Sequence, residues 1–271
     1  MDNISQVANG KCRAGGLMGE KRARHREGRL CVGVKKAFLF LCVILLCGCN
    51  RKEEYFFNKA LDYEEIGEFE KANLYLEKVL SKNPKRIMAY VNKGSNRLEL
   101  SDFAGAIEDY NQAIALDTML VTGYVGLANT YMQLENFSLA LSNYNIAISK
   151  SFNIIETDDR IIVISAKNPD FNVFGRNKKR NKYEDPLYSV EELFFKRGIA
   201  HFFLNNLPLA FRDLNFSQTD GITLEMKRDC HYWIGQIYLK AGQIDEACKE
   251  LKEAAMLGKS YAQRDYDEFC K

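Results

Sequence analysis

The sequence predicts an all-α chain: a solenoid of about five antiparallel helix pairs, one capping helix behind them, and an irregular or small β insertion after the third pair. Three observations carry this. A constellation of small and large apolar residues recurs at a spacing of 34 residues. Hydrophobic residues make up 46% of the 271, enough material for a core between packed helices. After the third copy the spacing lapses into a stretch of β-branched residues bounded by turn formers.

The leader comes first. Residues 1–36 hold nine Lys and Arg against three acids, leaving 29 basic and 33 acidic residues for the rest of the chain. The formal charge of +2 therefore hides a basic start and a mildly acidic body. Such a body gives no electrostatic case for nucleic acid. Lys35-Lys36 precede a short apolar run, Ala37–Gly48, the order of a secretory signal. The run falls short of the ~20 residues that span a bilayer. Leu46-Cys47-Gly48-Cys49 resembles a lipobox, which implies a lipid on Cys49 and a new N-terminus there. Residues 1–34 have no apolar periodicity, so the expectation is an extension upstream of the true start, at Val34 or Met18. Residues 35–48 are then the signal peptide and 49–52 a tether. Asn50 in place of Asp favours the outer membrane, on its periplasmic or its surface face. The acids after Lys52 fit surface export as well as they fit the start of a helix.

The repeats occupy residues 53–151. Ala72, Ala106 and Ala140 mark one position. Three residues earlier stand Phe69, Phe103 and Phe137; four later, Leu76, Tyr110 and Tyr144; seven later, Val79, Ala113 and Ala147. In the preceding helix lie Phe56, Tyr90 and Tyr124, with Ala60, Gly94 and Ala128 where two helices approach closely. Two further copies fill 191–259. Ala210 stands with Phe194, Gly198, Leu207 and Leu214; Ala247 stands with His231, Gly235, Tyr238, Gly242, Ile244, Leu251 and Ala254. This pattern resembles the tetratricopeptide repeat (TPR) family over most of the chain after Cys49. The resemblance implies a right-handed solenoid in which no repeat buries its apolar face alone. Arg97 and His201 replace the usual Tyr, which predicts local weakness in the second and fourth copies. Pro208 falls in a first helical turn, where its missing N–H costs nothing. Residues 260–271 read as the polar capping helix.

Residues 152–190 form the insertion. Ile161–Ile164 suggest a short strand or hairpin, and the basic run Arg176–Lys182 reads as a solvated loop that could also meet an anionic partner. Its acids Asp158, Asp159, Asp170 and Glu184 are available, but no sequence motif pairs them with a catalytic base or a metal ligand. No phosphate loop, no His-Glu-x-x-His and no Cys-x-x-Cys is present, and His25, His201 and His231 are too scattered for a metal site. No catalysis, no metal and no cofactor is expected. Cys248 and Cys270 flank the turn at Gly258 on antiparallel helices; they pair as a disulfide, or both are small buried apolar residues.

The resemblance also implies a partner groove lined by the first helix of each pair. By repeat phase its residues are Met88, Val91, Ser95 and Leu98; Val125, Asn129, Met132 and Gln133; Phe195, Ile199, Phe202 and Phe203; and Tyr232, Gln236 and Leu239. The apolar and aromatic C-terminal half suits an extended or helical peptide, unless the insertion covers it. The basic, Asn-bearing clamp with which chaperone-binding members hold a carboxylate is not matched, since Phe57, Leu61 and Val91 stand there. The function expected is a non-enzymatic scaffold for another envelope protein or peptide, held to the membrane through its lipid anchor. A second reading is an accessory lipoprotein of outer-membrane protein assembly.

Overall fold

The computed structural model describes residues 52–157, 160–166, 188–218 and 222–270. The leader, Cys49, the basic run 176–182 and the acids Asp158, Asp159, Asp170 and Glu184 lie outside them. The helices come in pairs: α1 (52–65) with α2 (Phe69–Lys82), α3 (Ile87–Glu99) with α4 (Phe103–Leu116), and α5 (Val121–Gln133) with α6 (Phe137–Ser151). A hairpin follows, β1 (Phe152–Glu156) and β2 (Ile161–Ala166), and then α7 (Val190–Phe203) with α8 (Leu207–Phe216) and α9 (Leu224–Lys240) with α10 (Ile244–Met256). The capping helix is α11 (Ser260–Phe269). The expected all-α TPR-like solenoid with a small β insertion is what the described residues adopt.

The core is a row of clusters, each built by successive elements. Phe57, Ala60, Leu76, Val79 and Ala89 join α1, α2 and α3. Val91, Ala106, Tyr110, Leu120 and Leu127 join α3, α4 and α5. The same scheme recurs to the end, where Leu251, Ala254 and Ala262 join α10 and α11. Stability is therefore shared between neighbours, as a repeat array requires.

Each turn inside a pair uses one device. Gly67, Ser101, Glu135, Asn205 and Gly242 occupy the same repeat position, and all have positive φ, between 55° and 75°. The residue after each donates its N–H back across the turn, Glu68 to Tyr63 O and Asn136 to Tyr131 O among them, which satisfies the carbonyls a helix end leaves open. The next helix begins on a side-chain cap where the sequence supplies one: Asp102 accepts from Gly105 N and Asn136 from Leu139 N.

Close packing is seen at Tyr110, which is 3% exposed between α3 and α5. A methyl group at Gly94 would lie 3.0 Å from its ring, and one at Gly126 only 2.3 Å away. Two glycines on successive first helices make the slot for one phenol.

Arg97, which stands in place of the usual Tyr, makes polar contacts between two helices. It meets Asp109 at 2.9 Å and Asp102 at 3.4 Å, and donates to Gly105 O, binding α3 to α4. The carboxyl of Asp109 is held above its ordinary value because burial outweighs the nearby Lys93 and Arg97 charges. His201, the other odd residue, is buried in α7. No helix among the described residues is long and apolar enough to cross a membrane.

Candidate functional site

Two features stand out beyond the packing that any repeat needs: an aromatic run over the last pairs, and a buried charge network that seats the hairpin.

The aromatic run starts at Phe137, the first residue of α6, which stacks on Phe203 at 4.6 Å between ring centroids. Phe203 and its neighbour Phe202 both meet Trp233 of α9 edge-on, at 5.7 and 5.3 Å. Trp233 meets Tyr232, which in turn meets Tyr261 of α11 at 4.5 Å. The Lys240 ammonium sits 4.8 Å over the Phe202 ring, a favourable cation–π placement. Phe203 is 43% exposed and Tyr261 38%, so the run opens to solvent at these two rings.

The expected groove residues do not all join it. Val91 and Val125 are corrections: both are core, at 5% and 0% exposure, in the α3–α5 and α5–α7 clusters. The clusters that bury them draw on the neighbouring pair as well as their own, so the buried arc is wider than repeat phase alone assigns. Met88, Met132, Phe195, Ile199 and Phe202 are half-buried at the edges of the clusters, while Ser95 and Gln133 are exposed. Asn129 accepts a hydrogen bond from the Tyr144 hydroxyl at 2.7 Å. Tyr232 and Gln236 donate to one carboxylate oxygen of Asp265 in α11, at 3.3 and 2.8 Å, which places them and Leu239 beneath the capping helix. Burial and the Asp265 charge push the Tyr232 phenol up to about 12. Phe203 is the large apolar residue of the expected set that is exposed. Trp233 and Phe137 complete the run; the adjacent Tyr232 and the repeat-marking phenylalanine were the only signals for them.

The hairpin lies against the α5–α7 cluster through Ile154, Ile161 and Val163, with Phe152 fully inside it. Its other face shows Ile155, Ile162 and Ile164 to solvent. Strand pairing is antiparallel with an irregularity between Asn153 and Ile154. Glu156 fixes it in place. Arg197 of α7 grips both Glu156 oxygens at 2.9 and 2.8 Å and both Asp213 oxygens at 3.0 and 2.6 Å, and gives a further hydrogen bond to Asn145. Arg212 closes the ring on Glu156, Asp213 and the Thr157 carbonyl. Burial alone would raise the Glu156 carboxyl, but the two guanidinium groups outweigh it and hold the group below its ordinary range. Next to this ring His201 is held below its usual value, chiefly by burial. The network is structural: every charge has an opposite partner, as buried ions require. Nothing in the spacing of Glu156, Arg197, Arg212 and Asp213 announces it in the sequence.

Cys248 of α10 and Cys270, just past α11, form a disulfide with their Cα atoms 5.6 Å apart. Cys230 is free and buried in α9. His231 meets Glu250 at 2.7 Å and thereby ties α9 to α10. Among the described residues no three His, Cys, Asp or Glu are grouped to hold a metal ion.

Comparison with known proteins agrees with this architecture. Residues 57–118 and 229–260 each match a tetratricopeptide repeat model. No curated protein gives a significant match. Among solved structures, a thermophilic TPR protein of Thermus thermophilus is 18% identical with a TM-score of 0.52, covering 80% of this chain and 97% of its own. YrrB, described as a TPR protein with an unusual peptide-binding site, is 16% identical with a TM-score of 0.51, covering 78% and 90%. PilF of Pseudomonas aeruginosa is 14% identical with a TM-score of 0.56, covering 79% of both chains. At such identities the likeness speaks to fold. Residues 57–118 and 229–260 thus carry tetratricopeptide repeats, and the helix pairs share the fold of solved TPR proteins.

Proposed function

We propose that the protein is a non-enzymatic scaffold, held at a bacterial envelope by a lipid on Cys49, that takes an extended segment of another envelope protein along its aromatic run. TPR proteins in general mediate protein–protein contacts, and the one observation that carries the finer reading is Phe203. A large apolar ring, 43% exposed and clasped between Phe137 and Trp233, offers a partner an apolar contact that is already ordered. The run favours apolar and aromatic side chains in the bound segment, and Lys240 beside it favours an acid. YrrB, similar in fold, is described as having a peptide-binding site. The leader supports the anchor: paired lysines, a short apolar run and a lipobox-like Leu46–Cys49 stand in the right order.

Metabolic labelling with a palmitate analogue tests the anchor. The full chain is expected to take up label and fractionate with outer membranes, and Cys49→Ala to lose both. Equal label in the variant would refute the anchor and leave the scaffold reading to its own test.

A further inference from the structure

We propose that the Cys248–Cys270 disulfide is a redox-controlled latch that holds α11 over the end of the last helix pair, and that reduction by a dithiol releases it. The non-covalent attachment of α11 is thin. Of its ten residues only Ala262 and Asp265 are buried, while Tyr261 and Phe269 are 38% and 47% exposed. The rest of its hold is the half-buried Tyr266 against the Leu251 and Ala254 cluster, the polar contacts of Asp265 with Tyr232 and Gln236 and of Lys259 with Asp229, and the edge contact of Tyr261 on Tyr232. A ten-residue helix does not persist alone in water, so α11 depends on staying docked. Beneath it lie Leu251 and Ala254, fully buried, together with the half-buried Tyr232 and Leu239. Release would therefore expose an apolar face at the end of the array and free the last ring of the aromatic run.

The bond is placed for such control. It joins the far end of α11 to the middle of α10, so cutting it removes the one covalent tie besides the turn at Gly258. Both cysteines are only half-buried, within reach of a reductant. Cys230 does not compete for exchange, because it is buried and its thiol is pushed up to about 12 by burial and Asp229. In the reaction an external dithiolate sulfur attacks one latch sulfur and forms a mixed disulfide. The second external thiol then displaces it. The latch gains two electrons and two protons as Cys248 and Cys270 thiols, and the reductant leaves as its own disulfide.

Hydrogen exchange of the full chain, followed by mass spectrometry before and after dithiothreitol, tests this. A peptide pair linked through Cys248 and Cys270 should be present before reduction and absent after. Amides of 261–269 should then exchange roughly tenfold faster or more, with those of α3–α6 unchanged. The double variant Cys248→Ser, Cys270→Ser should show the fast exchange without reductant. Three results would overturn the proposal: no linked peptide in air-oxidised protein, a change under about twofold in α11, or an equal rise in every helix, which would make the bond a support of the whole array.

Discussion

At the residue scale the fold depends on a few side chains that no neighbour can replace. Tyr110 is the clearest: its ring fills a slot whose walls are Gly94 and Gly126, and no β-carbon fits at the second. Gly126→Ala is expected to destabilise the protein by about 1–3 kcal/mol through overpacking, read as a lower midpoint in urea. Tyr110→Leu in the same chain should recover part of the loss, because the two substitutions act on one space. The charge ring of Glu156, Arg197, Arg212 and Asp213 gives a second residue-scale expectation. Both Glu156 and His201 have folded values below their ordinary ones. Groups so depressed contribute stability above their unfolded values and lose it as pH falls through the folded ones. The His201 contribution therefore drains below its ordinary 6.5, and that of Glu156 below 4.5. The thermal midpoint should fall on acidification from pH 7.5 to 5.5, by about 2–4 °C per kcal/mol lost in a domain of this size. His201→Gln should flatten that slope, and an equal slope in the variant would remove His201 from the account.

At the scale of the element, the turn inside each pair demands a left-handed residue. Gly supplies it at 67 and 242, whereas Ser101, Glu135 and Asn205 supply it against the preference of an L side chain. Glu135→Gly is expected to raise stability by about 0.5–1 kcal/mol, the relief of left-handed strain less the added freedom of the unfolded chain. Chemical denaturation of the two chains measures it. The helix pairs were legible because small residues such as Ala72, Ala106 and Ala140 recur in phase with large ones. The hairpin was legible as β-branched residues between turn formers. Its seat was not: Glu156 lies 41 residues from Arg197, and no periodic pattern encodes a contact made once. The groove was legible in part. Phase located the first-helix face that holds Phe202, Phe203 and Tyr232, but it could not tell lining from core at Val91 and Val125, because burial there is set by the neighbouring pair. Arg97 shows the same limit, since its partners Asp102 and Asp109 turn an apparent departure from the repeat into a tie between helices.

At the scale of the whole molecule, the proposed partner site is the aromatic run, where the exposed Phe203 ring is held between Phe137 and Trp233. The chain's only tryptophan sits within the run, touching Phe202, Phe203 and Tyr232, so occupancy has a built-in reporter. The most direct measurement is a Trp233 fluorescence titration of the full chain with peptides selected on it from a random display library, repeated with Phe203→Ala. Saturable changes that weaken about tenfold or more in the variant, a loss of roughly 1.4 kcal/mol or more, are the predicted result. Selected peptides that bind both chains equally, or bind with no change at Trp233, would contradict the placement of the partner site on the aromatic run.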